Sequence, residues 1–134
     1  MTPDRQSIVA PPGAPPAAGP YSHGLVFQGF LFCSGQTAVN PATGELIRGT
    51  VADRTRRCLE NLTATCRAAG ADLRDAVRVA VYMTNLDDFQ EMNAAYGEYF
   101  GGPNAPARTT IGVAALPRGA DLEIDAIVAL PAAA

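Results

Sequence analysis

The sequence has no lysine, no tryptophan and a single histidine, His23, in 134 residues. Without lysine there is no side-chain amine for a Schiff base to a carbonyl substrate or to pyridoxal phosphate. The three cysteines, Cys33, Cys58 and Cys66, are odd in number and form no CxxC pair. That pattern argues against a disulfide framework and fits reduced thiols in a cytosol. One histidine and three scattered cysteines also lack the spacing of a zinc site, so no metal is expected. All ten basic residues are arginine, and thirteen acidic ones bring the net charge to −3. An acidic chain without a basic run offers nucleic acid no electrostatic footprint, and no nucleic-acid partner is expected. No apolar run approaches the ~20 residues of a membrane helix. No charged start followed by an apolar stretch marks a secretory signal. The expectation is a cytoplasmic protein with no membrane partner.

What is present suits one domain over residues 1–134, with residues 1–19 as a Pro/Ala-rich arm. Such a chain buries roughly two-thirds of its unfolded surface. Pro11 to Pro20 excludes regular helix and central strand. Leu25 to Ser34, interrupted by Gln28-Gly29, reads as two short strands around a turn. Val51 to Ala69 carries apolar residues at helical spacing, and Gly70 supplies a stop. Ala76 to Thr84 reads as a strand with Val77, Val79 and Val81 on one face and Ala80 and Tyr82 on the other. Both faces are largely apolar, so both need cover, one from a helix and the other from a second subunit. Leu86 to Phe100 reads as a second helix, with Leu86, Phe89, Met92, Asn93, Tyr96 and Phe100 on one stripe and Asn85 or Asp87 as its cap. Arg108 to Ala115 and Asp121 to Leu130 read as closing strands, paired as a hairpin. The order ββ-α-β-α-ββ implies an α+β sandwich, with two helices on one face of a mixed sheet.

Two residues stand out chemically. Arg108 follows Pro106-Ala107 and opens a strand; its guanidinium is either a solvated charge or a fork for a carboxylate. Glu123 lies opposite Leu122 and Ile124 in an alternating strand; it is either a solvent-facing acid or a group that orients and deprotonates water. Hairpin pairing would set Glu123 near residue 112, about four residues and ~13 Å from the level of Arg108. A shared site then requires a bend, a bulge or a cleft between subunits. His23 titrates near neutrality when unperturbed, and a lone histidine is more often structural. Ser34 has no base at nucleophile-elbow spacing, and Gly35 lets backbone approach a ligand.

Taken in order, Gly19-Pro20-Tyr21-Ser22, Ser34-Gly35-Gln36, Glu60-Asn61-Leu62, Ala68-Ala69-Gly70, Asp88-Phe89 with Asn93 and Tyr96, Pro106-Ala107-Arg108-Thr109, Leu116-Pro117 and Glu123-Ile124 resemble the RidA/YjgF family of enamine/imine deaminases. The match runs from about Pro20 to Val128. The resemblance implies a chorismate-mutase-like fold, a homotrimer with ligand clefts between subunits, and no cofactor. It implies that Arg108 pairs with a small-molecule carboxylate and that Glu123 positions the attacking water. It also places Tyr21, Ser34, Gly35, Asn93 and Thr110 near the ligand. The implied reaction turns a 2-aminoacrylate-type enamine, or its imine tautomer, into a 2-keto acid and ammonia. The alternative is a member that binds small carboxylates, or acts like a chaperone, without turnover. Three positions depart from the family: Arg54 where glutamine is frequent, Thr110 where some members have cysteine, and Gly112 for a larger residue.

Overall fold

The computed structural model describes residues 5–132, so Met1 to Asp4 of the expected arm, and residues 133 and 134, lie outside it. The elements are β1 (Gln6–Ile8), β2 (Gly24–Phe27), β3 (Phe30–Thr37), α1 (Val51–Ala68), β4 (Ala76–Met83), α2 (Phe89–Phe100), β5 (Ala107–Gly112) and β6 (Leu122–Ala129). They build a six-stranded mixed sheet in the order β1-β2-β3-β6-β4-β5, an α+β architecture. All neighbours are antiparallel except β4 and β5, which run parallel across the α2 crossover.

Local chemistry explains the elements. Gln28 and Gly29 both take positive φ (53° and 82°), the demand of a two-residue hairpin turn, and Phe27 pairs with Phe30. The Thr50 hydroxyl accepts from the Asp53 amide at 3.0 Å, and the Asp53 carboxylate accepts from the Thr50 amide at 3.2 Å. This capping box is worth about 1 kcal/mol to the start of α1. At its other end Gly70 (φ 71°) lets the amides of Gly70 and Ala71 turn back to the carbonyls of Arg67 and Cys66.

Both helices lie on one sheet face. Cys58, Leu59 and Leu62 of α1 and Met92, Tyr96 and Phe100 of α2 meet Leu31, Val79, Val81, Ile124, Ala126 and Val128 there. On the opposite face Phe30, Phe32 and Ile111 are 39%, 41% and 45% exposed, and none of the described elements covers it.

Three expectations need correction. The closing strands are not a hairpin: β4 lies between them and pairs with both. A register shift between Ala76 and Arg78 bulges the strand at Val77, which turns out to 43% exposure and leaves the Val79–Val81 face. Leu86 belongs to a single 3₁₀ turn before α2 and is 50% exposed, because the Asn85 side chain accepts from the Asp87 amide and starts that turn instead. The arm, in turn, contains an unexpected edge strand, β1.

Candidate functional site

Arg108 is held before any ligand arrives. It lies on the helix-covered face of β5, beside Val79 of β4. Its Nη1 donates to Asn93 Oδ1 at 2.7 Å. Its guanidinium carbon sits 4.6 Å from the Tyr96 ring centroid and 5.6 Å from that of Phe89. Phe89, Asn93 and Tyr96 follow at i, i+4 and i+7, so one face of α2 supplies all three contacts. Nε and Nη2 make no hydrogen bond to the described residues and remain free for a two-pronged contact. Thr110, two residues along the same face, keeps its buried hydroxyl oxygen without a partner among the described residues, as does Tyr96. Unpaired buried hydroxyls are costly and mark a place where a ligand group can bond.

Glu123 lies elsewhere. It faces the uncovered side of β6, paired with Tyr82 of β4 and Thr37 of β3. A Cβ built on Gly35 would come within 2.6 Å of Glu123 Oε2. Gly35 therefore makes room for the carboxylate. The register of β3 shifts between Cys33 and Gln36, which bends the strand around this point. Burial, and secondarily the charge of Asp125, raises the proton affinity of the half-buried Glu123. Glu123, Gly35, Tyr21, His23, Gln36 and Arg118 line a cleft of about 220 Å³.

The remaining expected residues divide accordingly. The Tyr21 hydroxyl accepts from the Ala18 amide at 3.0 Å and its ring edges the Glu123 cleft. The Ser34 hydroxyl donates to the Ser22 carbonyl at 2.6 Å and holds the 21–23 segment against β3. His23 is buried and structural: Nδ1 accepts from the Ala10 amide at 3.2 Å, and Nε2 donates to the Pro15 carbonyl at 2.6 Å. Tyr21, Ser34, Gly35 and Glu123 thus form one group, and Arg108, Asn93 and Thr110 another. The two groups lie on opposite faces of the sheet. Sequence reasoning did not assign a role to the rings of Phe89 and Tyr96, although their spacing from Asn93 held the signal.

A larger groove, about 340 Å³, lies between the outer faces of α1 and α2. Most of its charges are paired, Glu98 with Arg56 at 2.8 Å, Arg74 with Asp72 at 2.9 Å, and Glu60 with Tyr99, while Arg67 on its wall makes no side-chain hydrogen bond to the described residues. Among the described residues it has no unpaired buried hydroxyl, and its arginine is not held by an aromatic face. Among the described residues no group of three or more His, Cys, Asp or Glu side chains is arranged to hold a metal ion. No helix there is long and apolar enough to cross a membrane.

The geometry has close relatives. A RutC family protein of Pyrococcus horikoshii is 41% identical over 122 residues, spanning 91% of this chain and 96% of that one. A protein of Dermatophagoides farinae named 2-iminobutanoate/2-iminopropanoate deaminase is 37% identical over 130 residues, 97% of this chain and 99% of its own. The crystal structure of a Thermotoga maritima protein described as a candidate endoribonuclease superposes with a TM-score of 0.89 at 43% identity, covering 95% of this chain and 99% of that one. The family model described as Endoribonuclease L-PSP matches residues 12–130. This chain belongs to that family, the RidA/YjgF family whose motifs its sequence carries.

Proposed function

We propose that this protein hydrolyses reactive 2-aminoacrylate-type enamines and their imine tautomers to 2-keto acids and ammonia. The observation that carries the reading is the preorganised Arg108 fork, with the unpaired Thr110 hydroxyl beside it. A fork fixed by Asn93 and two aromatic rings loses little entropy when it takes a carboxylate. The relative named 2-iminobutanoate/2-iminopropanoate deaminase supports the substrate class, a small imino acid.

The chemistry asks for little more than placement. Arg108 holds the substrate carboxylate and orients the imine carbon, which is already electrophilic. Glu123 orients a water and accepts its proton as the oxygen bonds to that carbon. That proton passes to the imine nitrogen to give a carbinolamine; its hydroxyl proton is then relayed through Glu123 to the amino group, the C=O forms, and the C–N bond breaks to release ammonia and a 2-keto acid. No metal or organic cofactor is required by this route.

Because Arg108 and Glu123 face opposite sides of the sheet, the reading places the site between copies, with Arg108 from one subunit and Glu123 from its neighbour in a homotrimer. The uncovered face around Phe30, Phe32 and Ile111 supports that assembly. The test is release of ammonia and keto acid from enamine generated in situ by a dehydratase. Acceleration over buffer, abolished in Arg108→Ala, is expected. Tight keto-acid binding with no acceleration would assign a non-catalytic carboxylate binder instead.

A further inference from the structure

The uncovered face of β6 carries a second carboxylate two residues from Glu123. Asp125 points to the same side and pairs across β4 with Ala80. The Tyr82 hydroxyl donates to Asp125 Oδ2 at 2.8 Å, while Tyr82 itself stands directly opposite Glu123. The tyrosine thus reaches diagonally over the sheet, passes Glu123, and fixes the neighbouring acid. On the β3 side the Gly35 backbone closes against the Glu123 carboxylate. Two carboxylates share one partly buried strip of sheet, and the Tyr82 hydroxyl holds one of them.

We propose that Asp125, anchored by the Tyr82 hydroxyl, is a positioning residue that makes Glu123 the proton-handling group of this site. The inference rests on the deaminase reading for its catalytic consequence, but its electrostatic core stands apart from turnover. A fixed negative neighbour destabilises the Glu123 carboxylate and makes it a stronger base toward water. The other charged or titratable groups near this strip are Arg78 from β4, whose Nη2 is committed to Thr109 Oγ1 at 3.0 Å, Cys58 on the helix side, Tyr21, His23 and Arg118 lining the cleft, and, in the proposed assembly, Arg108 of the neighbouring subunit, whose charge acts on wild type and Asp125→Asn alike. His23 has both ring nitrogens bonded to backbone, and Arg118 donates to the Gly44 carbonyl at 3.0 Å, so neither is directed at Glu123.

The test follows the Glu123 carboxyl carbon directly, by ¹³C NMR titration of the assembled protein, beside the pH profile of kcat/KM. Asp125→Asn removes the charge and keeps an acceptor for Tyr82. It is expected to move the Glu123 titration to lower pH by at least about half a unit, the scale of two like charges ~7 Å apart with water-like screening. The acid limb of kcat/KM should move with it, and Tm should hold. Tyr82→Phe, which frees Asp125 to swing into solvent, should give a smaller shift in the same direction. Asp125→Glu should retain most of the wild-type position. An unmoved Glu123 titration in Asp125→Asn would overturn the proposal. A moved titration with an unmoved rate profile would keep the electrostatic coupling and remove Glu123 from the reaction.

Discussion

Arg108 and Glu123 stand on opposite faces of one sheet. Arg108 is level with Val79 of β4 and Val79 with Ala126 of β6, so Glu123 also lies three residues further along. Three residues and two strand spacings amount to roughly 10 Å each way. Neither a bend nor a bulge within the chain turns either side chain through the sheet. The first prediction is complementation. Arg108→Ala and Glu123→Gln proteins should each be inactive. Mixed after dissociation and reassembly, they should recover about a quarter of wild-type activity, the chance that an intact Arg108 meets an intact Glu123 in a random cyclic oligomer. No recovery in demonstrably mixed oligomers would mean that the two act within one chain or not at all.

Asn93 fixes the Arg108 fork from α2. Asn93→Ala should lower kcat/KM by about tenfold, the equivalent of one hydrogen bond to a charged group, and most of the loss should fall in KM. Tyr96→Phe keeps the ring beneath the guanidinium, so it should cost less than Tyr96→Leu. Steady-state kinetics on the three variants checks the order.

Gly35 and Glu123 compete for the same space. In Gly35→Ala the new methyl would meet Oε2 at 2.6 Å and Cδ at 2.9 Å. The carboxylate must then move, and kcat should fall by roughly tenfold or more, as misplaced catalytic groups do. Near-wild-type thermal unfolding would show that the fold is unaffected.

The raised proton affinity of Glu123 has a stability consequence with a definite sign. Its folded pKa lies above the unfolded value, so its carboxyl favours folding most at acid pH and loses that contribution as pH rises through the folded value. Glu123→Gln should therefore unfold at a higher temperature than wild type at pH 7. The difference should close below the ordinary carboxylate range. A constant difference across pH would contradict the assignment.

His23 is the fastening of the arm. Substitution by alanine removes one buried and one partly buried hydrogen bond and leaves the buried Pro15 carbonyl unpaired. The cost should be about 1–3 kcal/mol, read by denaturant unfolding. Glutamine should restore part of it.

Local signals in the sequence were reliable where the chain solves its own problem. The ends of α1 follow from its apolar stripe and Gly70, and the β2–β3 turn follows from Gln28-Gly29. Reasoning failed where the partner is distant in sequence. The connection from Leu116 to Ala120 looks like a hairpin turn, yet Pro117 opens a 3₁₀ turn that carries the chain past β4. Val77 keeps the alternation of a strand, and only the pairing with β6 shows its bulge. At the site, the Phe89–Asn93–Tyr96 spacing was legible as one helical face. The contact of Tyr82 with Asp125 was not, because it depends on the β4–β6 register.

Asn61 links these regions in time as well as space. Its buried amide donates to the carbonyls of Thr37 and Val39 at 3.2 and 2.9 Å, and its oxygen accepts from Arg57 Nε at 3.2 Å. The strand end beside Glu123 is thereby tied to the middle of α1. That segment cannot fray alone, as exposed strand ends usually do. Its amides should exchange with solvent at the slow rate of α1, and the wall around Glu123 should persist until the helix itself opens.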